Sequence, residues 1–284
     1  LHPPGAVLTP AQLSRIAGLA KEHGNGLVEI SARANLQLRG VSLATHPELV
    51  ATLLAERLVE EHDGDGPQRL TLVGPLVRLP FRGPHPEEPR SGVSKDEGSR
   101  GESLIDARAL AESIELSGRA ISGLPAKCLV IVDDGGPLSL DGFACDLRIV
   151  AVDREIVAIG LPDGRWLGPV AAARAAESVA GLLSAFAHRR QNTETIRRLR
   201  DLPARLLDAA VSATGLPPTT APAMRPAPRR AGSVLSAHGE AALIGLPFGR
   251  ADADTLQRLG EAALQAGAST VRLSPWRGLA FSGL

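Results

Sequence analysis

The sequence predicts an α+β protein in which two copies of one helix–strand–strand unit pair with each other and flank a different α/β region. Three observations support this fold class: an internal repeat links the two ends of the chain, short apolar segments of strand type recur in each copy, and a Pro-rich stretch precedes the second copy. The 284 residues, 44% of them hydrophobic, are enough for about two domains of ~100–200 residues with real cores.

The repeat aligns residues 13–41 with residues 256–284 without a gap, so each residue matches the one 243 positions later. Eight aligned pairs are identical, and further pairs keep the apolar pattern. Each copy has the order helix, turn, strand, short connection, strand, which is half of a ferredoxin-like unit. Because so small a sheet cannot bury both of its faces alone, we expect the copies to pair pseudo-symmetrically.

The elements of the first copy follow from its capping and turn residues. Thr9–Gln12 is a capping box with proline at the first helical position, and Gly24 is expected to end that helix. Strands are predicted at residues 27–31 and 36–41. Thr45–Glu48 is a second capping box, which predicts another helix to about residue 60. The first helix, residues 9–23, is expected to pack near residues 253–266.

The region between the copies has a different pattern. Residues 82–101 are rich in Gly, Pro, Ser and charge and are predicted to form a surface loop. Strands are predicted at residues 128–132, 146–153 and 155–161, and helices at 170–190 and 193–211. The predicted organisation is a first half-domain at 1–62, a middle domain at 66–212, a Pro-rich linker at 213–234 and a second half-domain at 235–284.

Composition excludes several functional classes. The 31 basic residues balance the 31 acidic ones, so no global field attracts nucleic acid or an anionic membrane. No apolar run reaches the ~18–20 residues of a membrane span, and the start has no signal pattern, so a cytoplasmic protein is expected. The absence of phosphate-loop, GxSxG and HExxH motifs sets aside kinase, dehydrogenase and hydrolase functions.

The two cysteines, Cys128 and Cys145, are separated by sixteen residues and do not form a CxxC pair. Zinc and cubane iron–sulfur sites need about four ligands in close pairs. We therefore assign no metal ligands in this chain, and we expect Cys128 to be buried within a strand.

The segment from residue 30 to residue 41 is the most informative for function. Arg33 lies in the connection between two strands, and Asn35, Gln37 and Arg39 alternate with leucines, so the polar side chains are predicted to share one face. Guanidinium and amide groups on one face could donate hydrogen bonds to a carboxylate-rich ligand. The alternative is an ordinary solvated face of an antiparallel strand.

This segment resembles a motif of the sulfite/nitrite reductase superfamily, an arginine followed by a strand with glutamine and a terminal glycine. The resemblance implies that Arg33 and Gln37 contact carboxylates of a tetrapyrrole. The chain departs from the siroheme reductases at Glu29 and Leu129, where they have basic residues, and it has His2 where they carry an anion-binding arginine.

Two further segments match the superfamily in the expected order. Residues 69–76 resemble the motif that opens the middle domain, and residues 124–127 resemble a Leu-Pro-x-Lys motif, which implies that Arg69 and Lys127 face a bound anion. Residues 132–140, 146–148 and 271–278 resemble the precorrin-3B synthase branch. The residues that the resemblance implies for tetrapyrrole binding are Arg33, Asn35, Gln37, Arg39, Arg69, Lys127, Arg272 and Arg277.

Membership of that branch would imply a monooxygenase-type oxidoreductase of aerobic cobalamin biosynthesis. It would hydroxylate the ring of precorrin-3A and form the lactone of precorrin-3B, using a 4Fe-4S cluster and iron whose ligands lie outside this chain. A cluster-binding domain would then be expected after residue 284, and this chain would be an incomplete enzyme with an unidentified electron donor. Two alternatives remain open: a sulfite or nitrite reductase fragment with siroheme, and a non-catalytic tetrapyrrole-binding module.

Overall fold

A computed structural model describes residues 1–3, 6–60, 62, 66–76, 103–191, 195–236 and 239–284. The predicted surface loop at residues 82–101 lies outside these ranges. The described helices and strands form a mixed α+β architecture with three sheets. None of the described helices has the length and hydropathy needed to cross a membrane.

The two copies of the repeat have the same order of elements. The first consists of β1 (Val7–Leu8), α1 (Pro10–His23), β2 (Leu27–Ile30) and β3 (Leu36–Leu38). The second consists of β12 (Arg250–Asp252), α6 (Ala253–Gln265), β13 (Thr270–Ser274) and β14 (Gly278–Ser282). The repeat therefore begins at Val7, before the segment in which sequence identity is visible.

Each copy gives its first strand to the hairpin of the other. β1 pairs antiparallel with β13, so that Val7 lies opposite Arg272, and β12 pairs antiparallel with β2, so that Arg250 lies opposite Glu29. These two registers differ by the same 243-residue offset as the sequence repeat. Side chains of both copies also share one apolar core. The predicted pseudo-symmetric pairing of the copies is confirmed.

Helices α1 and α6 pack against each other, as the sequence predicts. Their starts are capped in equivalent ways: Thr9 Oγ1 accepts from the backbone N of Gln12 at 3.1 Å, and Asp252 Oδ1 accepts from that of Thr255 at 2.7 Å. A Cβ atom added to Gly260 of α6 would lie 2.4 Å from Ser14 Oγ of α1. The two helices therefore approach each other closely at this glycine.

The second predicted helix of the first copy differs from the structure at both of its ends. Helix α2 (His46–Ala55) is about one turn shorter than predicted, because Glu56 leaves the helical conformation and Arg57 adopts a φ of 53°. Thr45 makes no side-chain cap; its hydroxyl instead donates to the carbonyl oxygen of His23 at 2.7 Å. The predicted second capping box is therefore wrong.

The middle region is built on a six-stranded sheet in the order β4-β5-β6-β7-β8-β9. The first three strands run parallel and the others pair antiparallel. The strands are β4 (Thr71–Val73), β5 (Val130–Asp133), β6 (Leu147–Asp153), β7 (Ile156–Gly160), β8 (Trp166–Ala171) and β9 (Pro218–Thr219). The helices of this region are α3 (Ala107–Arg119), α4 (Ala172–Gln191) and α5 (Ala204–Thr214).

The middle sheet is buried on both faces, which explains the continuous apolar runs of its parallel strands. Val130 and Val132 of β5 pack into the core of the middle region, whereas Ile131 packs into the core of the repeat pair. Cys128 is buried as expected, but it precedes β5 because its backbone N donates to the carbonyl oxygen of Pro125 at 2.8 Å. The predicted strand therefore starts two residues too early.

The Pro-rich segment at residues 213–234 makes specific contacts with the middle region. It supplies β9, and Arg225 pairs with the buried carboxylate of Asp133 and donates to the carbonyl oxygen of Gly136 at 3.0 Å. The chain then enters β10 (Gly232–Ser236) and β11 (Gly239–Gly245), which extend the second copy's sheet beyond β14.

Candidate functional site

Arg33 lies in the turn between β2 and β3, and that turn directs it toward the middle region. Ser31 Oγ accepts hydrogen bonds from the backbone N atoms of Arg33 and Asn35, each at 3.2 Å, and Ala34 adopts a φ of 53°. Arg33 Nη2 then donates to the carbonyl oxygen of Cys128 at 2.7 Å. The guanidinium group therefore lies at the boundary between the repeat pair and the middle region.

A cavity of about 300 Å³ opens beside this guanidinium group, and we call it the Arg33 cavity. It is lined by His2, Arg33, Asn35, His62, Gly66, Gln68, Arg69, Thr71, Ala126 and Leu129. Within the described ranges, two buried side-chain atoms have no hydrogen-bond partner, His2 Nδ1 and Asn35 Oδ1. Both residues line this cavity. Because buried polar atoms nearly always have partners, these two atoms are positioned to bond to water or to a polar ligand.

Arg69 contributes the second guanidinium group of the cavity. It precedes β4, and its Nη2 donates to the carbonyl oxygen of Pro3 at 3.1 Å. Burial is the main cause that lowers the pKa of Arg69, and burial followed by the charge of Arg198 lowers the pKa of Arg33. Both shifts arise mainly from burial of the guanidinium groups, so a neighbouring anion would favour their charged forms.

His2 carries no charge in this cavity at neutral pH. Burial, followed by nearby positive charges that include Arg69 and Arg33, lowers its pKa to about 4. A neutral imidazole can donate from one ring nitrogen and accept at the other. Together with Asn35 Oδ1, it gives the cavity hydrogen-bonding groups beside its two cations.

A buried ion pair supports the wall of the cavity. Asp146 Oδ2 accepts from the backbone N of Leu129 at 3.0 Å, and Arg198 Nη1 donates to the carbonyl oxygen of Lys127 at 2.7 Å. Arg198 and Asp146 also bind each other, with Nε 3.1 Å from Oδ1. No sequence pattern distinguishes Arg198 from the other arginines of its segment. Asp146 belongs to a segment that matches the superfamily, but that match does not indicate its partner.

Two of the residues predicted to bind a ligand lie elsewhere, on the exposed side of the β2–β3 hairpin. Arg39 Nη2 donates to Gln37 Oε1 at 2.8 Å and pairs with Glu29, which also pairs with Arg250. The prediction that Asn35, Gln37 and Arg39 share one face is wrong. Asn35 belongs to the turn before β3, so the alternation of a strand does not apply to it.

The remaining predicted residues are also dispersed. Lys127 is exposed and does not line the cavity, although its neighbour Ala126 does. Arg277 is exposed in the turn between β13 and β14. Arg272 is only 5% exposed and lines a second cavity that it shares with Arg69. The structure thus brings Arg33, Asn35 and Arg69 together, and the others lie outside that group.

The described residues do not fit an iron–sulfur cluster or another metal ion. No group of three or more His, Cys, Asp or Glu side chains with suitable placement occurs among them. Burial raises the pKa of the Cys128 thiol to about 12 and also raises that of Cys145, which disfavours the thiolate forms that bind metals. We therefore assign no catalytic step to a metal group bound by these residues.

Comparisons with known proteins agree with this architecture. Residues 1–56 match the model of the nitrite/sulfite reductase ferredoxin-like half domain. A precorrin-3B synthase from Sinorhizobium sp. is 30% identical over 156 residues, which are 54% of this chain and 28% of that protein. The structure of the Mycobacterium tuberculosis NirA protein superposes with a TM-score of 0.68 at 19% identity, over 99% of this chain and 52% of that one.

The chain thus spans about half of the solved relative and less than a third of the curated one. The family model, the curated relative and the fold together confirm the resemblance to the sulfite/nitrite reductase superfamily that the sequence motifs indicated. The chain has an α+β fold similar to that of the NirA protein, its first 56 residues match the nitrite/sulfite reductase ferredoxin-like half domain, and a precorrin-3B synthase is among its relatives.

Proposed function

We propose that this chain binds the carboxylate-bearing edge of a tetrapyrrole as part of an oxidoreductase that converts precorrin-3A to precorrin-3B. The observation that carries the proposal is the Arg33 cavity, where two guanidinium groups from separate segments meet two unpartnered polar atoms. The similarity to a precorrin-3B synthase supports the choice of substrate class.

The chemistry of the cavity suits such a ligand. A guanidinium group presents a planar set of donors that matches a carboxylate, and charge-assisted hydrogen bonds are the stronger kind. Asn35 Oδ1 and His2 would complement ring N–H groups, hydroxyl groups or water. A volume of about 300 Å³ fits a carboxylate side chain and its ring edge, so most of the macrocycle would lie outside the cavity.

The part of this chain in the proposed reaction is to bind and orient the ring. The Asp146–Arg198 pair fixes residues 127–129, and Arg33 reaches this wall through its bond to Cys128. Ring hydroxylation and lactone formation, with an iron–sulfur cluster and iron, would involve parts of the enzyme beyond these residues. The electron donor is left open, and a cytoplasmic location is part of the proposal.

Siroheme is a second candidate ligand, because the NirA fold matches nearly the whole chain. Against siroheme, Glu29 stands where the reductases place a further arginine, and here it is paired with Arg39 and Arg250. A binding module without activity is the third possibility. Affinity for a metal-free uroporphyrinoid at least equal to that for siroheme would favour the precorrin class.

The binding proposal can be tested by a fluorescence titration with uroporphyrin III. We expect Arg33→Ala and Arg69→Ala to weaken binding by roughly ten- to a hundredfold, since one charge-assisted bond contributes ~1.5–3 kcal/mol and ~1.4 kcal/mol is a factor of ten. Arg165→Ala is the matched control, because Arg165 is a surface residue paired with Asp163 and Asp208. Equal affinities of all four proteins would refute the proposal.

A further inference from the structure

The second cavity is the larger one, with a volume of about 460 Å³, and we call it the Arg272 cavity. It lies between β13 of the repeat pair and the β4 and α3 elements of the middle region. Leu72, Ala111 and Leu273 are among its apolar lining residues, and Arg272 and Arg69 are among its charged ones. Arg33 does not line it, whereas Gln68, Arg69 and Thr71 line both cavities.

Among the residues that the structure describes, Arg272 is the one arginine that is fully buried. Arg198 and Arg225 are each paired with a buried aspartate, Asp146 and Asp133 respectively. For Arg272, no hydrogen bond or ion pair of the side chain occurs within the described ranges, although only 5% of the residue is exposed. Burial, followed by the charge of Arg108, lowers its pKa to about 10. A buried charge without a counterion destabilises a protein, and an anion bound beside the Arg272 guanidinium group would offset this cost.

Three acidic residues line the cavity, Glu60, Glu112 and Glu115, and none of them forms an ion pair with Arg272. Glu115 accepts from the backbone N and the hydroxyl group of Thr71, each at 2.7 Å, and from the backbone N of Leu70 at 3.1 Å. Glu112 pairs with Arg108 at 2.9 Å. Glu112 and Glu115 cannot neutralise Arg272 without breaking these contacts, and Glu60 is not among the groups that shift the pKa of Arg272. The missing negative charge would therefore come from a ligand.

We propose that the Arg272 cavity binds an organic monocarboxylate with an apolar body. The carboxylate would accept two parallel hydrogen bonds from the Arg272 guanidinium group. The apolar body of the ligand would pack on Leu72, Ala111 and Leu273. Inorganic phosphate fits less well, because it has no apolar body to cover Leu72, Ala111 and Leu273. The inference does not rest on the proposed function, since it uses a different cavity.

A ¹⁹F NMR titration with 4-(trifluoromethyl)benzoate tests this site, and the uncharged 4-(trifluoromethyl)benzamide tests the need for charge. We expect the benzoate to bind the parent protein at least tenfold more tightly than the benzamide. Arg272→Leu should reduce the affinity for the benzoate ten- to a hundredfold and leave that for the benzamide nearly unchanged. The exposed control Arg258→Leu should bind the benzoate like the parent.

A thermal unfolding series shows whether Arg272→Leu has simply failed to fold. Because the variant lacks an unpaired buried cation, we expect its Tm to equal or exceed that of the parent, and we expect the benzoate to raise only the parent's Tm. The proposal is wrong if neither probe binds the parent, if the benzamide binds as tightly as the benzoate, or if Arg272→Leu keeps the parent's affinity. Tighter binding of inorganic phosphate would also overturn it.

Discussion

Asp146 and Arg198 form an ion pair in which Arg198 Nη2 lies 3.1 Å from Asp146 Oδ2, and only 2% of the Asp146 side chain is exposed. The same carboxylate accepts hydrogen bonds from the backbone N atoms of Leu129 and Leu199, each at 3.0 Å. One side chain therefore joins the wall of the Arg33 cavity to the segment that follows α4.

Replacing Asp146 tests this role. Asp146→Ala should reduce the free energy of unfolding by about 3 kcal/mol, because it leaves the partly buried Arg198 without its counterion and two backbone N–H groups without an acceptor. Urea unfolding followed by circular dichroism measures the change. Asp208→Ala removes an exposed partner of Arg165 and should cost at most about 1 kcal/mol. Similar losses in both variants would contradict the prediction.

The contact between α1 and α6 predicts opposite effects for two glycine substitutions. Gly260→Ala should destabilise the protein by about 1–3 kcal/mol, because its Cβ would lie 2.4 Å from Ser14 Oγ and 2.8 Å from the carbonyl oxygen of Pro10. Gly181→Ala in α4 adds a methyl group with nothing within 4 Å and should stabilise the protein by about 0.5–1 kcal/mol. The Tm of each variant, measured by thermal unfolding, tests both predictions. A higher Tm for Gly260→Ala than for the parent would mean that the helices lie farther apart.

The lowered pKa of His2 predicts how stability depends on pH. The folded state holds this imidazole neutral down to pH about 4, whereas the unfolded chain protonates it near its ordinary value of 6.5. The unfolded state therefore binds more protons between these values, and stability should fall as the pH decreases from 6.5 to 4. His2→Gln should reduce this slope in a series of Tm measurements, while replacement of the exposed His46 should not. An unchanged slope in His2→Gln would show that the imidazole is solvated.

Arg33→Lys separates charge from geometry in the Arg33 cavity. The lysine keeps the positive charge but lacks the planar fork that can hold the Cys128 carbonyl oxygen and a ligand carboxylate at the same time. We expect its affinity for uroporphyrin III to lie between those of the parent and Arg33→Ala in the same fluorescence titration. Affinity equal to the parent would mean that charge alone determines binding at this position.

Much of the fold could be predicted because the repeat is visible in local signals. Thr9 and Gln12 form the predicted capping box, and the constant offset placed α1 beside α6. The reciprocal pairing of β1 and β12 could not be predicted in this way. Each strand has only two or three residues, and its partner strand lies in the other copy. No pattern within a short stretch of sequence can therefore predict this pairing.

The site was only partly predictable for a related reason. Arg33 and Arg69 lie in motifs that the superfamily shares, and both line the Arg33 cavity. Gln37 was predicted from the glutamine of the superfamily motif and Arg39 from the polar alternation, but both lie on the exposed side of the hairpin, where they bond to each other. Arg198 was missed because its role depends on Asp146 and Lys127, which are far from it in sequence and near it only after folding.

The exchange of strands also determines when the first unit can be completed during synthesis. A ribosome releases β1, β2 and β3 long before it makes Arg250–Asp252 and Thr270–Ser274, which complete the sheets of these strands. Until then, β2 has an unpaired edge and β1 has no sheet to join, and such edges are sites of aggregation. The first copy can therefore complete its sheets only after Thr270–Ser274 has been synthesised.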